Sequence, residues 1–176
     1  MILRPLEPED LDLLYTIEND PELWDCSNTN GPYSRYALKN YIASIASIYE
    51  CGSIRFVIEH KFEKSTKPHS IGLIDLVNFD PICAKAEVCI AILKKYRGLG
   101  LGFQALQQME LYAKKQINLH SIYALVEATN TPSLHLFEKS DYKQVALLPE
   151  WIYAHENYQD VALFQKIFKK SREIVW

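Results

Sequence analysis

Residues 86–102 constrain this chain more than any other stretch. Ala86-Glu87-Val88-Cys89-Ile90-Ala91-Ile92-Leu93 is short, apolar and rich in β-branched residues, the composition of a buried strand. Lys94-Lys95 follows, and Tyr96-Arg97-Gly98-Leu99-Gly100-Leu101-Gly102 then places three glycines within five residues. Residues 103–117 carry few breakers and an apolar stripe at Leu106, Met109, Ala113 and Ile117, which predicts a helix. A strand, a glycine-rich turn and a helix N-terminus in that order make an anion site. Glycine lets the backbone come close, unpaired N–H groups point outward, and the helix dipole favours negative charge. A pyrophosphate is the expected guest.

Two glycine motifs do not fit. A dinucleotide-binding fingerprint needs a third glycine three positions after Gly100, where Phe103 stands, and a P-loop needs Gly-Lys-Ser/Thr, which is missing. The spacing Arg/Gln-x-x-Gly-x-Gly/Ala is met by Arg97, Gly100 and Gly102. This resembles the acyl-CoA pyrophosphate loop of the GNAT acetyltransferases. On the loop alone, a glycine-rich turn with no ligand is the alternative.

Composition narrows the classes. At 176 residues and 48% hydrophobic content the chain can bury one core, and residues 1–176 read as a single domain. A net charge of −3 gives no electrostatic case for a nucleic-acid partner. Lys94, Lys95 and Arg97 flank the proposed anion site, while the basic run at 166–172 reads as a solvated C-terminal face. Cys26, Cys51, Cys83 and Cys89 show no Cys-x-x-Cys spacing, so no metal site is expected, and Cys89 reads as a small buried hydrophobe. Neither a signal segment nor a membrane-spanning stretch is visible, which makes a reduced, cytoplasmic protein the expectation.

Along the chain, residues 2–6 read as a strand, and Pro8-Glu9-Asp10 opens a helix that Asn19-Asp20-Pro21 ends. Residues 24–32 read as a loop. Ser34 caps a second helix expected to run to Gly52. Strands follow at 55–59, 70–77 and 86–93, then the helix after the glycine turn. A strand at 121–127, a helix from Asn130 to about Ser140, and strands at 142–148 and 161–168 complete the order. This is a mixed α/β pattern: a single central mixed sheet with helices on both faces. It matches the GNAT acyl-CoA N-acyltransferase fold. Within that family the chain is most similar to the spermidine/diamine and ribosomal-protein N-terminal acetyltransferase branches. The resemblance is carried by Leu3-Arg4-Pro5-Leu6-Glu7-Pro8-Glu9-Asp10-Leu11, by Ala86-Glu87-Val88, and by Asn130-x-x-Ser133-x-x-Leu136-Phe137-Glu138-Lys139. It covers nearly the whole chain.

The resemblance implies acetyl-CoA as cofactor. Its pyrophosphate would lie on the amides of Arg97, Gly98, Leu99, Gly100, Leu101 and Gly102, and its pantetheine arm would pair with the backbone of Ile90, Ala91 and Ile92. Asn130 stands where the family places a polar contact to that arm; it also suits a turn before a helix. Glu87, a carboxylate in an apolar strand, is the candidate general base, and strand alternation puts it on one face with Cys89, Ala91 and Leu93. A strand-end carboxylate facing solvent is the alternative. The family position for a tyrosine general acid falls on Phe137, which has no proton to give. That leaves Ser133 on the same helix face as the acid, unaided departure of the thiolate, or a site that holds the cofactor and transfers poorly. Asp141, before Tyr142, stands where the family has glycine, and Asp tolerates the left-handed conformation better than most residues.

The expected activity is acetyl transfer to a primary amine of a small polyamine or diamine, or to a peptide or protein N-terminus. An acyl-CoA-binding protein with little or no transferase activity is the alternative. Trp24, Asp25, Tyr33, Tyr36, Glu150, Trp151 and Tyr153 are the acceptor-site candidates, and residues 24–28 carry one acid where polyamine enzymes of this kind carry a pair. Exposed aromatics such as Tyr158 or Trp176 leave room for a homo-oligomer. His120 and His135 match no required position.

Overall fold

The structure, a computed structural model, describes residues 1–24, 32–44, 47–154 and 156–168. Seven strands form one sheet: β1 (Ile2–Pro5), β2 (Ile54–His60), β3 (His69–Asp80), β4 (Lys85–Ile92), β5 (Ser121–Glu127), β6 (Lys143–Ala154) and β7 (Asn157–Ile167). Their order across the sheet is β1-β2-β3-β4-β5-β7-β6. Every neighbouring pair is antiparallel except β4 and β5. A parallel pair needs a crossover, supplied here by α5 (Leu101–Lys115). Among the described residues, four short helices precede β2: α1 (Leu11–Glu18), α2 (Pro21–Trp24), α3 (Arg35–Ala43) and α4 (Ile48–Cys51); α6 (Thr131–Lys139) follows β5.

The strand period of two sends successive apolar residues to opposite faces, so the sheet has a core on each. Ile58, Ile74, Val88, Ile122 and Phe164 pack on one face against Leu106, Met109 and Ala113 of α5 and Phe137 of α6. Val57 and Leu73, each next in sequence to a residue of the first set, pack on the other face against Leu14 and Ile17 of α1 and Leu38 of α3. Each fully buried side chain of this size contributes roughly 1.5–3 kcal/mol. In β3, a Cβ on Gly72 would lie 2.2 Å from the Ala91 carbonyl oxygen, so only glycine lets β3 and β4 approach this closely.

The structure departs from the sequence expectation in four places. The helix expected from Ser34 to Gly52 is two helices. Ser44 caps the end of α3, and a Ser47–Glu50 capping box starts α4; residues 45 and 46 lie outside the described set. The first residue of the loop expected at 24–32 ends α2, and residues 25–31 lie outside the described set. The last two strands are longer than expected. β6 continues past Pro149 through a register shift between Leu148 and Ile152, where Glu150 takes φ 49° and donates its N–H to Asp160 at 2.9 Å. Cys89 is exposed rather than buried, because α1 and α3 cover only part of its face of β4. Asp141 takes φ 62°, the left-handed turn expected of it.

Candidate functional site

β4 and β5 pair only where Lys85, Ala86 and Glu87 meet Ser121, Ile122 and Tyr123. The rest of β5 stays with β7, to which it is matched along its whole length. From Val88 onward the β5-facing edge of β4 therefore borders a gap. The Leu93 N–H bonds the Ile71 carbonyl on the β3 side. Backbone alternation then turns the polar groups of Ile90 and Ile92 toward the gap, while Ala91 faces β3 and packs its side chain beside the α1–α3 core. The Ile92 carbonyl accepts from Nε of Arg97 at 2.8 Å.

The gap opens onto the glycine turn. Gly98 and Gly100 take φ 76° and 72°, and no atom lies within 4 Å of where a Cβ would sit on either. Gly100 is the N-cap of α5. Among the described residues, the N–H groups from Gly98 to Phe103 have no acceptor. Leu99 is exposed, whereas the Leu101 side chain lies in the core and offers only its amide to the turn. Gly102 faces Leu136 and Ile90 at ordinary contact distances from its would-be Cβ. Open volume, unpaired amides and a helix N-terminus fit the diphosphate of a coenzyme A thioester, and the free edge of β4 fits its pantetheine amides. Beside the turn, Glu22 of α2 bonds Lys94 at 2.6 Å and approaches Arg97 at 3.6 Å.

Glu87 sits where the gap closes, at the last residue pair of β4 and β5. Its Oε2 accepts from Nδ2 of Asn78 at 2.9 Å, and its Oε1 lies 4.0 Å from the Cys89 sulfur. Burial pushes its carboxyl above the usual range, and the Asn78 bond only partly offsets this. Tyr123, its partner on β5, is raised by burial and by the Glu87 charge, and the Asn78 amide also reaches its hydroxyl. Cys89 is exposed by surface area. Crowding around its sulfur, with Glu87 and Asp75 nearby, nevertheless pushes the thiol up to about 12, so it stays protonated at neutral pH.

On the same face, two strands away from Glu87, Arg55 of β2 lies between two carboxylates. Its Nε and Nη2 bond Asp75 at 2.7–3.0 Å, and Nη1 bonds Glu18 of α1 at 2.6 Å. The guanidinium lies over the Tyr41 ring, 5.4 Å from its centre. Burial works against the charge on Arg55, but Asp75, Tyr41 and Glu18 more than offset it. Asp75, Asn78 and Tyr123 were not singled out in the sequence. Asp75 carries the signal that exposed Glu87, an acid inside an apolar strand; Asn78 and Tyr123 carry no such signal.

On α6, Asn130 is the N-cap, its side-chain oxygen accepting from the Ser133 N–H at 3.1 Å. Ser133 is half-buried. Phe137 is 3% exposed and packs against Phe164 and Tyr142, with ring centres 5.9 and 5.1 Å away. It is a core residue and offers no ligand-lining surface, which corrects its expected place among the cofactor contacts. Tyr33, Tyr36, Glu150, Trp151 and Tyr153 are exposed, and Asp25 lies outside the described residues. His120 and His135 are exposed. Among the described residues, no helix is long and apolar enough to cross a membrane.

A parallel strand pair that parts ahead of a glycine turn, with a half-buried carboxylate at the apex, fits the acyl-CoA-dependent acyltransferase class. Residues 1–143 match the family model of the acetyltransferase (GNAT) domain. Over 161 residues the chain is 26% identical to the spermidine N(1)-acetyltransferase of Escherichia coli (strain K12), covering 90% of this chain and 81% of that one. Over 78 residues it is 36% identical to the N-alpha-acetyltransferase of Sulfurisphaera tokodaii, covering 44% and 47% of the two chains. The crystal structure of spermidine N-acetyltransferase from Vibrio cholerae in complex with CoA and spermine matches with TM-score 0.82 at 27% identity, over 94% of each chain. The chain belongs to the GNAT acetyltransferase family, and it is an acetyltransferase that uses acetyl-CoA.

Proposed function

We propose that this protein acetylates a primary amine presented to Glu87 from the α1–α3 side of the sheet. The observation that carries the reading is the raised, cation-free carboxyl of Glu87 at the point where β4 and β5 part. An alkyl ammonium has a pKa of about 10, by analogy with lysine, so the amine needs a proton acceptor at neutral pH. Glu87 takes that proton, directly or through water. Acetyl-CoA supplies the activated thioester when bound. The amides of residues 97–102 hold its diphosphate, and the backbone of Ile90 and Ile92 aligns its pantetheine arm. Arg97 guards the Ile92 carbonyl. Asn130 shapes the start of α6. Ser133, four residues before the family's acid position on the same helix, is the candidate acid.

The relatives named above act on spermidine or carry the name N-alpha-acetyltransferase, so small amines and peptide α-amines are the acceptor classes to examine. Another structure of the Vibrio cholerae spermidine N-acetyltransferase is described as dodecameric. Here Val145, Leu147, Trp151 and Tyr153 are exposed on edge strand β6, with Tyr158 across the hairpin, which supports assembly with further copies of this chain. Trp176 lies outside the described residues. The free thiols of Cys51, Cys83 and Cys89 suit a reducing, cytoplasmic setting.

The test is thiol release from acetyl-CoA across spermidine, putrescine, an aminoglycoside and short peptides with different N-termini. Release with one acceptor class is expected. Release with none, while acetyl-CoA still binds, would overturn the reading.

A further inference from the structure

The two oxygens of Glu87 are treated differently by their surroundings. Oε2 accepts from Nδ2 of Asn78 at 2.9 Å, and the same amide reaches the Tyr123 hydroxyl. An amide nitrogen carries two hydrogens, so it serves both oxygens at once. Strand pairing fixes one end of this bridge, because Tyr123 lies opposite Glu87 at the last pair before β4 and β5 part. The backbone fixes the other end. Val77 is the residue of β3 paired with Glu87, so a regular strand would send the next side chain, Asn78, to the opposite face. The register shift between Val77 and Asp80 and the left-handed Asn78, φ 51°, bring it back to the Glu87 face. A bulge and a left-handed residue therefore converge on one carboxylate oxygen. The other oxygen, Oε1, has the Cys89 sulfur as neighbour at 4.0 Å.

We propose that Asn78 is a positioning residue for the transfer reaction, its amide fixing Oε2 so that Oε1 is the oxygen that takes the amine's proton. The inference rests on the reading of Glu87 as the base. In that step an N–H bond breaks, an O–H bond forms on Oε1, and the electron pair stays on nitrogen. The bond to Oε2 also favours the ionised carboxylate against burial, which keeps the base able to accept. Among the described residues, the titratable and charged groups that the sheet and its helices bring toward Glu87 come from five elements. They are Lys85 and Cys89 on β4, Asp75 and Asp80 on β3, Tyr123 on β5, Arg55 on β2 with Glu18 of α1, and Tyr41 of α3.

The experiment compares the wild-type protein with Asn78→Gly, Asn78→Asp and Glu87→Gln by two readouts. The first is the carbon-13 NMR titration of the glutamate carboxyl carbons in the protein alone, the Glu87 signal being assigned by its loss in Glu87→Gln. The second is the acid limb of kcat/KM by thiol release, expressed per unprotonated amine. Glycine and aspartate both tolerate the left-handed backbone, and both remove the N–H donor. Asn78→Gly is expected to raise the Glu87 titration by about one pH unit and to move the acid limb up by the same amount. Asn78→Asp adds a like charge and is expected to raise both further. Above the raised limb the carboxylate is ionised again, so a remaining loss of about tenfold measures its lost aim. If Asn78→Gly does not fold, Asn78→Asp, of the same shape as asparagine, decides. Movement of neither readout, movement of one without the other, or recovery of the wild-type rate above the limb would overturn the proposal. A limb that persists in Glu87→Gln, or no release with any amine, would sink the base reading and the proposal with it. Failure of Asn78 alone is told apart because the limb then still depends on Glu87.

Discussion

Nδ2 of Asn78 donates to Oε2 of Glu87 at 2.9 Å from a backbone with φ 51°. The left-handed residue sits in the register shift between Val77 and Asp80, which turns the end of β3 toward β4 and aims the amide at the carboxylate. The donor is neutral, so burial dominates and the Glu87 carboxyl is raised.

The proposed base would matter most when little free amine is present. Glu87→Gln is expected to lower kcat/KM by about 10²-fold or more at pH 7, and by less at pH 9, where more of the amine is already deprotonated. An equal loss at both values would argue against a base. Stability should move the other way. A carboxyl raised in the folded state contributes stability in its protonated form, fully below the unfolded value of about 4.3, and loses it as pH climbs through the raised folded value. Glu87→Gln is therefore expected to be the more stable protein at pH 7 and to converge with wild type near pH 4. Urea unfolding at the two pH values measures this.

Gly100 is the second test. Its φ of 72° costs an L-residue about 1–2 kcal/mol, and nothing lies within 4 Å of its would-be Cβ. Gly100→Arg should thus keep the fold, with a small drop in Tm, while its side chain enters the volume assigned to the diphosphate. Acetyl-CoA affinity should fall by about a hundredfold or more, a loss of roughly 2.7 kcal/mol. Unchanged affinity by calorimetry would remove the anion-binding assignment from this turn.

Phe137 gives a third. A tyrosine there would bury a hydroxyl among Phe164, Tyr142 and the core, at a cost of about 1–3 kcal/mol unless a partner is found. Phe137→Tyr is expected to be less stable in urea with kcat unchanged. A rise in kcat of about 10²-fold would show that the ring reaches the reacting thioester after all.

Much of the frame was legible in the chain because its signals are local. The β5 boundaries, the turn after β4, the left-handed Asp141 and the order of the strands all follow from patterns a few residues long. The break between α3 and α4 was legible too, since Ser47-Ile48-Tyr49-Glu50 is a capping box, but the apolar stripe running through it suggested one helix. The extension of β6 beyond Pro149 was not, because a proline and a polar residue read as a strand end unless the Glu150–Asp160 bond that holds the bulge is known.

By itself, then, the sequence determined the glycine turn, the strand before it, the helix after it and the acid at position 87, since glycine freedom, strand period and helix capping act within one turn or one strand. Tertiary structure alone decided the rest of the site. Arg55 meets Asp75 and Glu18 from 20 and 37 residues away, and Asn78 meets Glu87 across a register shift. Phe137 turns inward because α6 rolls against Phe164 and Tyr142. Which carboxylates pair with Arg55 and which one accepts from Asn78 depends on how strands align side by side, and that alignment is set by burying both faces of the sheet at once.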